Sequence, residues 1–302
     1  MRESAKRYQT IDPGDGRPPG AIASGATGRR EGALRLLTVR PLALACALSV
    51  AFAAPQRAGA EGPVDLPSAF GRAFEGVDAC VALRDVAPGA GTAVSDRAAC
   101  ERRLPPCATF EFAATVIALD RGVVPDANVP VKRNPPLQAD PPEGVNLRDA
   151  FRKPVPWVFE EVARRIGSEA FTRALAAMRY GNAEVGDRVE RIGRGENANG
   201  LVLSAVEQVD FLARLKRGEL PTSAESQART VEIAATERLG DSTVAWKTGA
   251  CDGAAWAVGW VERSERNVIF ASVATGVEPS AADVVARTRR LMSELALVPP
   301  AK

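Results

Sequence analysis

Apolar runs near the two ends of the chain have the length and spacing of β-strands. The run Cys80–Val86 precedes a Gly-rich turn at Pro88–Thr92, which indicates an opening hairpin that ends near Cys100. Toward the other end, tight polar turns separate further short apolar runs. These runs predict three short strands, at Thr243–Gly249, Trp256–Glu262 and Val268–Thr275.

Between these strands the apolar residues recur at helical spacing. The apolar segment Ala108–Arg121 follows two prolines and stops at Gly122, which predicts a buried central helix. The stretch Pro125–Pro142 has no periodicity and predicts a loop. Further helices are predicted at Val155–Ile166, Ser168–Tyr180, Ser204–Gly218, from Ser223 onward and at Ala281–Leu295. Together these elements predict an α+β fold, an antiparallel β-sheet flanked by helices with an inserted all-α lobe.

The first sixty residues are predicted to be a leader and signal peptide. Arg35 and Arg40 precede the apolar run Leu42–Ala54, and Ala58-Gly59-Ala60 is typical of a cleavage site before Glu61. The apolar run, about 13 residues long, is shorter than the roughly 20 that a membrane-spanning helix needs. We therefore expect a folded domain at residues 61–302, a periplasmic or secreted location, and no stable membrane span after processing.

The charge and composition of the chain exclude some kinds of partner. The 39 basic residues nearly balance the 37 acidic residues, and no basic stripe interleaved with aromatic residues indicates nucleic-acid binding. Histidine is absent, which removes the commonest metal ligand and the usual general base near neutral pH. Because histidine is absent, any acid–base chemistry must come from Lys, Glu, Asp or Tyr. Nothing in the sequence requires a metal or an organic cofactor, and we expect neither.

Four cysteines would remain after removal of the leader: Cys80, Cys100, Cys107 and Cys251. An even number of cysteines in an exported protein predicts two disulfides. Four cysteines allow three pairings, and four buried free thiols are the alternative.

Four short motifs follow one another along the chain, and each motif by itself is weak evidence for a family. Their order and spacing resemble those of class D serine β-lactamases, in which the motifs are S-T-F-K, Y-G-N, S-x-V and K-T-G. The penicillin-binding transpeptidases have a related set of motifs. The sequences around these motifs, such as PWVFEEVARRIG and WAVGWVE, also resemble the family and extend the resemblance over residues 76–296. The motifs here are Cys107-Ala108-Thr109-Phe110-Glu111, Tyr180-Gly181-Asn182, Ser204-Ala205-Val206 and Lys247-Thr248-Gly249.

The resemblance implies a reaction that this chain cannot perform in the same way. In the family, a lysine carried as a carbamate removes the proton of a serine three residues earlier, and that serine attacks the lactam carbonyl. Ala108 stands at the position of the serine and Glu111 at the position of the lysine. No catalytic residue of this pair is intact, so acylation by the family mechanism is excluded.

The resemblance also implies a ligand pocket beside these positions. In the family, the S-x-V serine relays protons, and the K-T-G strand binds the substrate carboxylate and helps form the oxyanion hole. The expected pocket residues are Ser204, Val206, Lys247, Thr248, Gly249 and Ala250. Two family features are missing: no Trp lies between Tyr180 and Ser204, and the first basic residue after K-T-G is Arg263.

Several of these residues have a structural interpretation as well. Tyr180-Gly181-Asn182 is typical of a turn that ends a helix, and Ser204 is typical of a helix N-cap. Lys247 could be a solvated surface lysine. Glu111 has no such explanation, because a carboxylate on an apolar helix face needs a partner or a cavity. It could reach Lys247 and neutralise that cation.

Thr109 or Cys107 could in principle replace the missing serine. By similarity to a disulfide in some class A carbapenemases, the resemblance instead implies that Cys107 pairs with Cys251, which leaves Cys80 to pair with Cys100. A cysteine in a disulfide cannot act as a nucleophile.

Three hypotheses for function follow. The first is an exported, non-hydrolytic binding protein for a β-lactam or a peptidoglycan stem peptide. The second is an enzyme with residual β-lactam hydrolysis or with different chemistry centred on Glu111 and Ser204, and the third is an interaction scaffold that keeps only the fold. An open, electropositive cleft favours the first two, whereas a cleft bridged by Glu111 and Lys247 favours the scaffold.

Overall fold

The computed structural model describes residues 65–300 apart from residues 154, 197–199, 252, 265 and 277–278. The predicted leader, its apolar run and its cleavage site lie outside the described residues. In the part of the chain that is described, no helix combines the length and apolarity that crossing a bilayer requires.

A central antiparallel sheet joins the two ends of the described chain. The strands are β1 (Ala79–Asp85), β2 (Thr92–Val94), β3 (Pro130–Val131), β4 (Val145–Asn146), β5 (Ala235–Leu239), β6 (Ser242–Cys251), β7 (Ala254–Arg263) and β8 (Arg266–Thr275). The main sheet has the order β2-β1-β8-β7-β6-β5, while β3 and β4 form a separate short pair. Ala82 of β1 lies opposite Ala271 of β8, so the first strand pairs with the last.

Helices cover both faces of the sheet. They are α1 (Leu66–Ala73), α2 (Arg97–Glu101), α3 (Glu111–Asp120), α4 (Leu147–Arg152), α5 (Pro156–Ile166), α6 (Ser168–Ala177), α7 (Ala205–Arg217), α8 (Ala224–Glu232) and α9 (Ala281–Glu294). The described residues also include 3₁₀ turns at Cys107–Phe110 and Val189–Arg194. Helices α1 and α9 pack on one face of the sheet, and the inserted lobe lies on the other face. The predicted α+β architecture is therefore confirmed.

Helix α3 is the centre of the larger core. It is apolar on nearly every side, and residues 111–118 are all buried. A helix that is apolar all round is stable only when other elements surround it, and α5, α6 and α8 pack against α3. The first turn of α3 therefore lies inside the protein, where Glu111 meets the sheet.

The structure differs from the sequence prediction at several boundaries. The predicted central helix starts with a 3₁₀ turn, and Cys107 has a φ of 49°, so regular α-helical geometry begins only at Glu111. The three C-terminal strands each extend to ten residues. Strand β5 was not predicted because it lies at the sheet edge, where its polar side chains remain in contact with water.

Candidate functional site

The segment that contains Ala108 is tied firmly to the sheet. Cys107 forms a disulfide with Cys251 of β6. The indole of Trp256 on β7 donates a hydrogen bond of 2.8 Å to the carbonyl of Pro105. At Gly249 a Cβ atom would lie 2.6 Å from the nitrogen of Ala108, so only glycine allows β6 to approach this closely. These contacts hold the 3₁₀ turn and the K-T-G strand side by side.

A cavity of about 420 Å³ opens at the junction of α3, α5, β6 and the second 3₁₀ turn. Ala108 and Glu111, which occupy the positions of the family's serine and lysine, both line it. Its wall combines apolar and aromatic surface with acidic side chains and one arginine. The lining residues are Ala108, Phe110, Glu111, Pro156, Phe159, Glu160, Glu190, Gly193, Arg194 and Ala250.

Glu111 and Lys247 form a buried ion pair at the inner end of this cavity. Each residue is less than a tenth exposed, at 6% for Glu111 and 7% for Lys247. The ammonium of Lys247 also donates a hydrogen bond of 3.0 Å to the carbonyl of Phe151 and lies 4.4 Å from the centre of its ring. The lysine that the resemblance assigns to a substrate carboxylate is thus already occupied by a carboxylate of the chain itself.

The Glu111 carboxyl is strongly perturbed by this environment. Burial raises its pKa from an ordinary 4.5 to about 7, because the protein interior disfavours the charged form. The charge and hydrogen bond of Lys247 act in the opposite direction and only partly offset the effect of burial. The carboxyl therefore exchanges its proton near neutral pH, unlike an ordinary surface glutamate.

The other predicted pocket residues occupy different places. Ala250 lines the cavity, whereas Thr248 and Gly249 lie beside it on β6. Ser204 is the N-cap of α7 and forms a capping box in which its hydroxyl accepts from the N–H of Glu207. Neither Ser204 nor the half-buried Val206 belongs to the described lining of the cavity.

The Tyr180-Gly181-Asn182 motif connects the end of α6 to the segment before α7. Tyr180 is fully buried, and its hydroxyl donates to the side chain of Gln208 at 3.2 Å. The Asn182 side chain accepts from the N–H of Val202 at 3.0 Å. At Gly181, where φ is 57°, a Cβ atom would lie 2.3 Å from the carbonyl oxygen of Val202. In this structure the motif therefore acts as a turn that positions the start of α7.

Neither of the two substitute nucleophiles is placed to react. The Thr109 hydroxyl is buried and donates a 2.6 Å hydrogen bond to the carbonyl of Pro106. Cys107 belongs to the disulfide with Cys251, and Cys80 pairs with Cys100, which are the two pairings that the resemblance implied. Among the described residues, no group of His, Cys, Asp and Glu side chains could hold a metal ion.

Sequence reasoning missed one wall of the cavity. Arg194 pairs with Glu160 of α5, with its Nε 2.7 Å from the Glu160 carboxylate. Glu190, on the same 3₁₀ turn as Arg194, has no partner within the described residues. At Gly193 a Cβ atom would lie 2.7 Å from the ring of Phe110, so the turn packs directly on the first 3₁₀ turn. No periodicity links residues so far apart in sequence.

Comparison with known sequences identifies the family. The family model described as "Penicillin binding protein transpeptidase domain" matches residues 81–293. The chain is 32% identical over 185 residues to β-lactamase OXA-20 of Pseudomonas aeruginosa, which covers 61% of this chain and 68% of that protein. It is 33% identical over 172 residues to β-lactamase OXA-48 of Klebsiella pneumoniae, with coverage of 55% and 64%. The chain thus spans about two thirds of the length of these relatives.

Solved structures show the same fold. The class D β-lactamase YbXI from Nostoc is 26% identical, with a TM-score of 0.66 over 78% of this chain and 100% of that chain. The class D β-lactamase FUS-1 from Fusobacterium nucleatum subsp. polymorphum is 23% identical, with a TM-score of 0.67 and coverage of 77% and 97%. With its motifs, its fold and these relatives in agreement, the chain belongs to the penicillin-binding protein transpeptidase family, in its class D β-lactamase branch.

Proposed function

We propose that this protein is an exported, non-acylating member of the class D β-lactamase branch that binds a β-lactam or a peptidoglycan stem peptide reversibly. The observation that carries the proposal is the set of residues that line the cavity. Ala108 lines it where the family has its nucleophile, and Glu111 lines it while paired with Lys247. A cavity is present at these two positions, but the reactive groups of the family are replaced.

The chemistry of the replaced residues argues against an acyl-enzyme. A methyl group at Ala108 has no lone pair for attack on a carbonyl carbon. Glu111 has no amine to form a carbamate, and a protonated carboxyl is a poor base. The Ser204 hydroxyl caps α7. A rate loss of several orders of magnitude is typical when the nucleophile of a serine hydrolase is removed.

Reversible binding is supported by the size and surface of the cavity. A volume of about 420 Å³ lies within the range of small-molecule pockets, which is roughly 300–1,000 Å³. Apolar and aromatic side chains border it together with a few polar groups, as is usual for such pockets. The second candidate function is an interaction scaffold, which the Glu111–Lys247 pair favours because it neutralises the cation expected to bind substrate.

The proposal predicts no covalent product with a penicillin. Purified protein incubated with a fluorescent penicillin is expected to keep its unmodified intact mass and to show no hydrolysis of a chromogenic cephalosporin. Isothermal titration of the same penicillin is expected to give reversible binding. An active class D β-lactamase serves as the positive control for labelling and turnover.

The outcomes separate the three hypotheses. A covalent adduct would overturn the proposal, and peptide mapping of that adduct would identify the nucleophile. An unmodified mass without any reversible binding would favour the scaffold. An unmodified mass with measurable binding is the result that the proposal predicts.

A further inference from the structure

We propose that Glu111 is an internal competitor for the anion site of the cavity, and that its protonation in mildly acidic solution releases Lys247 to bind an anionic ligand. The proposal rests on the proposed reversible binding in the same cavity. In its ionised form the Glu111 carboxylate occupies the ammonium that an external carboxylate would need. In its neutral form it leaves that ammonium without an anionic partner.

The position of Glu111 supports this role. Its side chain lines the cavity and also contacts Lys247, so it lies between the open space and the cation. Lys247 itself is 7% exposed and is not part of the described lining. An anion that enters the cavity therefore meets Glu111 before it meets Lys247.

Within the described residues, Glu111 is the anionic partner of Lys247, and its other partners are uncharged. Apart from Glu111, it donates to the carbonyl of Phe151 at 3.0 Å and lies over the rings of Phe151 and Phe159 at 4.4 and 5.9 Å. Aromatic faces and one carbonyl oxygen attract an ammonium but carry no net charge. A buried cation in this position favours any carboxylate that can reach it, from the chain or from a ligand.

The other charges around the cavity strengthen the effect of protonation. Helix α5 contributes Glu160, which pairs with Arg194, and the second 3₁₀ turn contributes Glu190, which has no ionic partner among the described residues. With Glu111 ionised, three carboxylates face two cations, Arg194 and Lys247. Protonation of Glu111 makes these charges balance, so the site repels an anion less.

Charged groups on the remaining elements around α3 are engaged elsewhere. Glu161 of α5 pairs with Arg165 at 2.8 Å. On α8, Arg229 and Glu232 pair at 2.9 Å. On α6, Glu169 pairs with Arg173 on the exposed surface. Lys247 is the ionic partner of Glu111 within the described residues.

The pH range of the switch follows from the burial of Glu111. Burial raises its pKa to about 7, so the carboxyl is mostly neutral at pH 6 and mostly ionised at pH 8. If only the protonated form binds an anion, about one tenth of the protein is competent at pH 8, and the apparent affinity falls about tenfold from pH 6.

The test is isothermal titration with benzylpenicillin, whose carboxylate is the anionic probe, at pH 6 and pH 8. The intact protein is expected to bind about tenfold more weakly at pH 8. The variant Glu111→Gln, whose neutral amide resembles the protonated carboxyl, is expected to bind equally at both pH values. Glu190→Gln removes a carboxylate of the same cavity without touching Lys247, and it is expected to keep the pH dependence.

Three results would overturn the inference, and they can be told apart. Binding by the intact protein that is equal at both pH values, with Glu111→Gln also binding, would refute the role of Glu111 and leave the proposed function intact. Loss of the pH dependence in Glu190→Gln, with the pH dependence kept in Glu111→Gln, would show that Glu190 controls binding and would refute the role of Glu111. Absence of binding by every protein at both pH values would refute the proposed function itself.

Discussion

Glutamine in place of Glu111 is expected to stabilise the protein by about 3 kcal/mol at pH 8, because one pKa unit corresponds to about 1.4 kcal/mol. The folded protein holds the Glu111 proton more tightly than the unfolded chain does, since burial raises the pKa from 4.5 to about 7. The native protein should therefore lose stability as the pH rises through this interval and then level off. The glutamine amide does not ionise in this pH range, so the variant keeps the stability that the unsubstituted protein loses.

Urea denaturation of the two proteins at pH 4 and pH 8 measures the effect. At pH 4 the Glu111 carboxyl is largely neutral in both the folded and the unfolded protein. The unfolding free energies of the unsubstituted protein and of Glu111→Gln are therefore expected to differ little at this pH. The other carboxylates are common to both proteins and cancel in the comparison. Destabilisation by the glutamine at pH 8 would mean that attraction to Lys247 exceeds the cost of burial, which would contradict the raised pKa.

Removal of the Cys107–Cys251 disulfide is expected to destabilise the protein more than removal of Cys80–Cys100. The two cysteines of the first pair are 144 residues apart, and those of the second are 20 apart. The chain-entropy model gives about 5 kcal/mol for the longer loop and about 3 kcal/mol for the shorter one. The longer cross-link also holds the turn that carries Ala108 against β6.

The measurement is equilibrium unfolding of two double variants, Cys107→Ala with Cys251→Ala and Cys80→Ala with Cys100→Ala. Each variant removes both thiols of one cross-link, so neither cysteine of that pair remains to form a wrong disulfide. The second variant is the matched control, because it loses the same atoms with a much shorter loop. Equal destabilisation of the two would show that loop entropy does not determine the contribution of these disulfides.

The sequence predicted the architecture because its apolar runs have clear periods. The predicted strands near Cys80 and Thr243 lie in the observed sheet, and the long apolar segment after Pro105-Pro106 forms the buried α3. Helices α1, α2 and α4 and strand β5 were missed, since each has eight residues or fewer. Short elements of this kind are stabilised by contacts that are distant in sequence, and a local pattern does not reveal them.

The candidate site was only partly readable from the sequence. A carboxylate within an apolar helix must have a partner, and this argument pointed to Lys247 as a group within reach of Glu111. The wall formed by Glu160, Glu190 and Arg194 was not predicted, because it depends on how a 3₁₀ turn folds onto α5. Ser204 allowed two interpretations, and its hydroxyl is observed in the capping box of α7.

The central claim is that a buried carboxylate at Glu111 occupies the K-T-G lysine, and carbon-13 NMR of carboxyl-labelled glutamate tests it most directly. The account predicts a glutamate signal that titrates near pH 7, well above the ordinary value of 4.5, and that disappears in Glu111→Gln. Removal of the Lys247 cation by Lys247→Met should move that titration to higher pH, because burial would then act alone. A Glu111 signal that titrates near 4.5, or that is unaffected by Lys247→Met, would contradict the account.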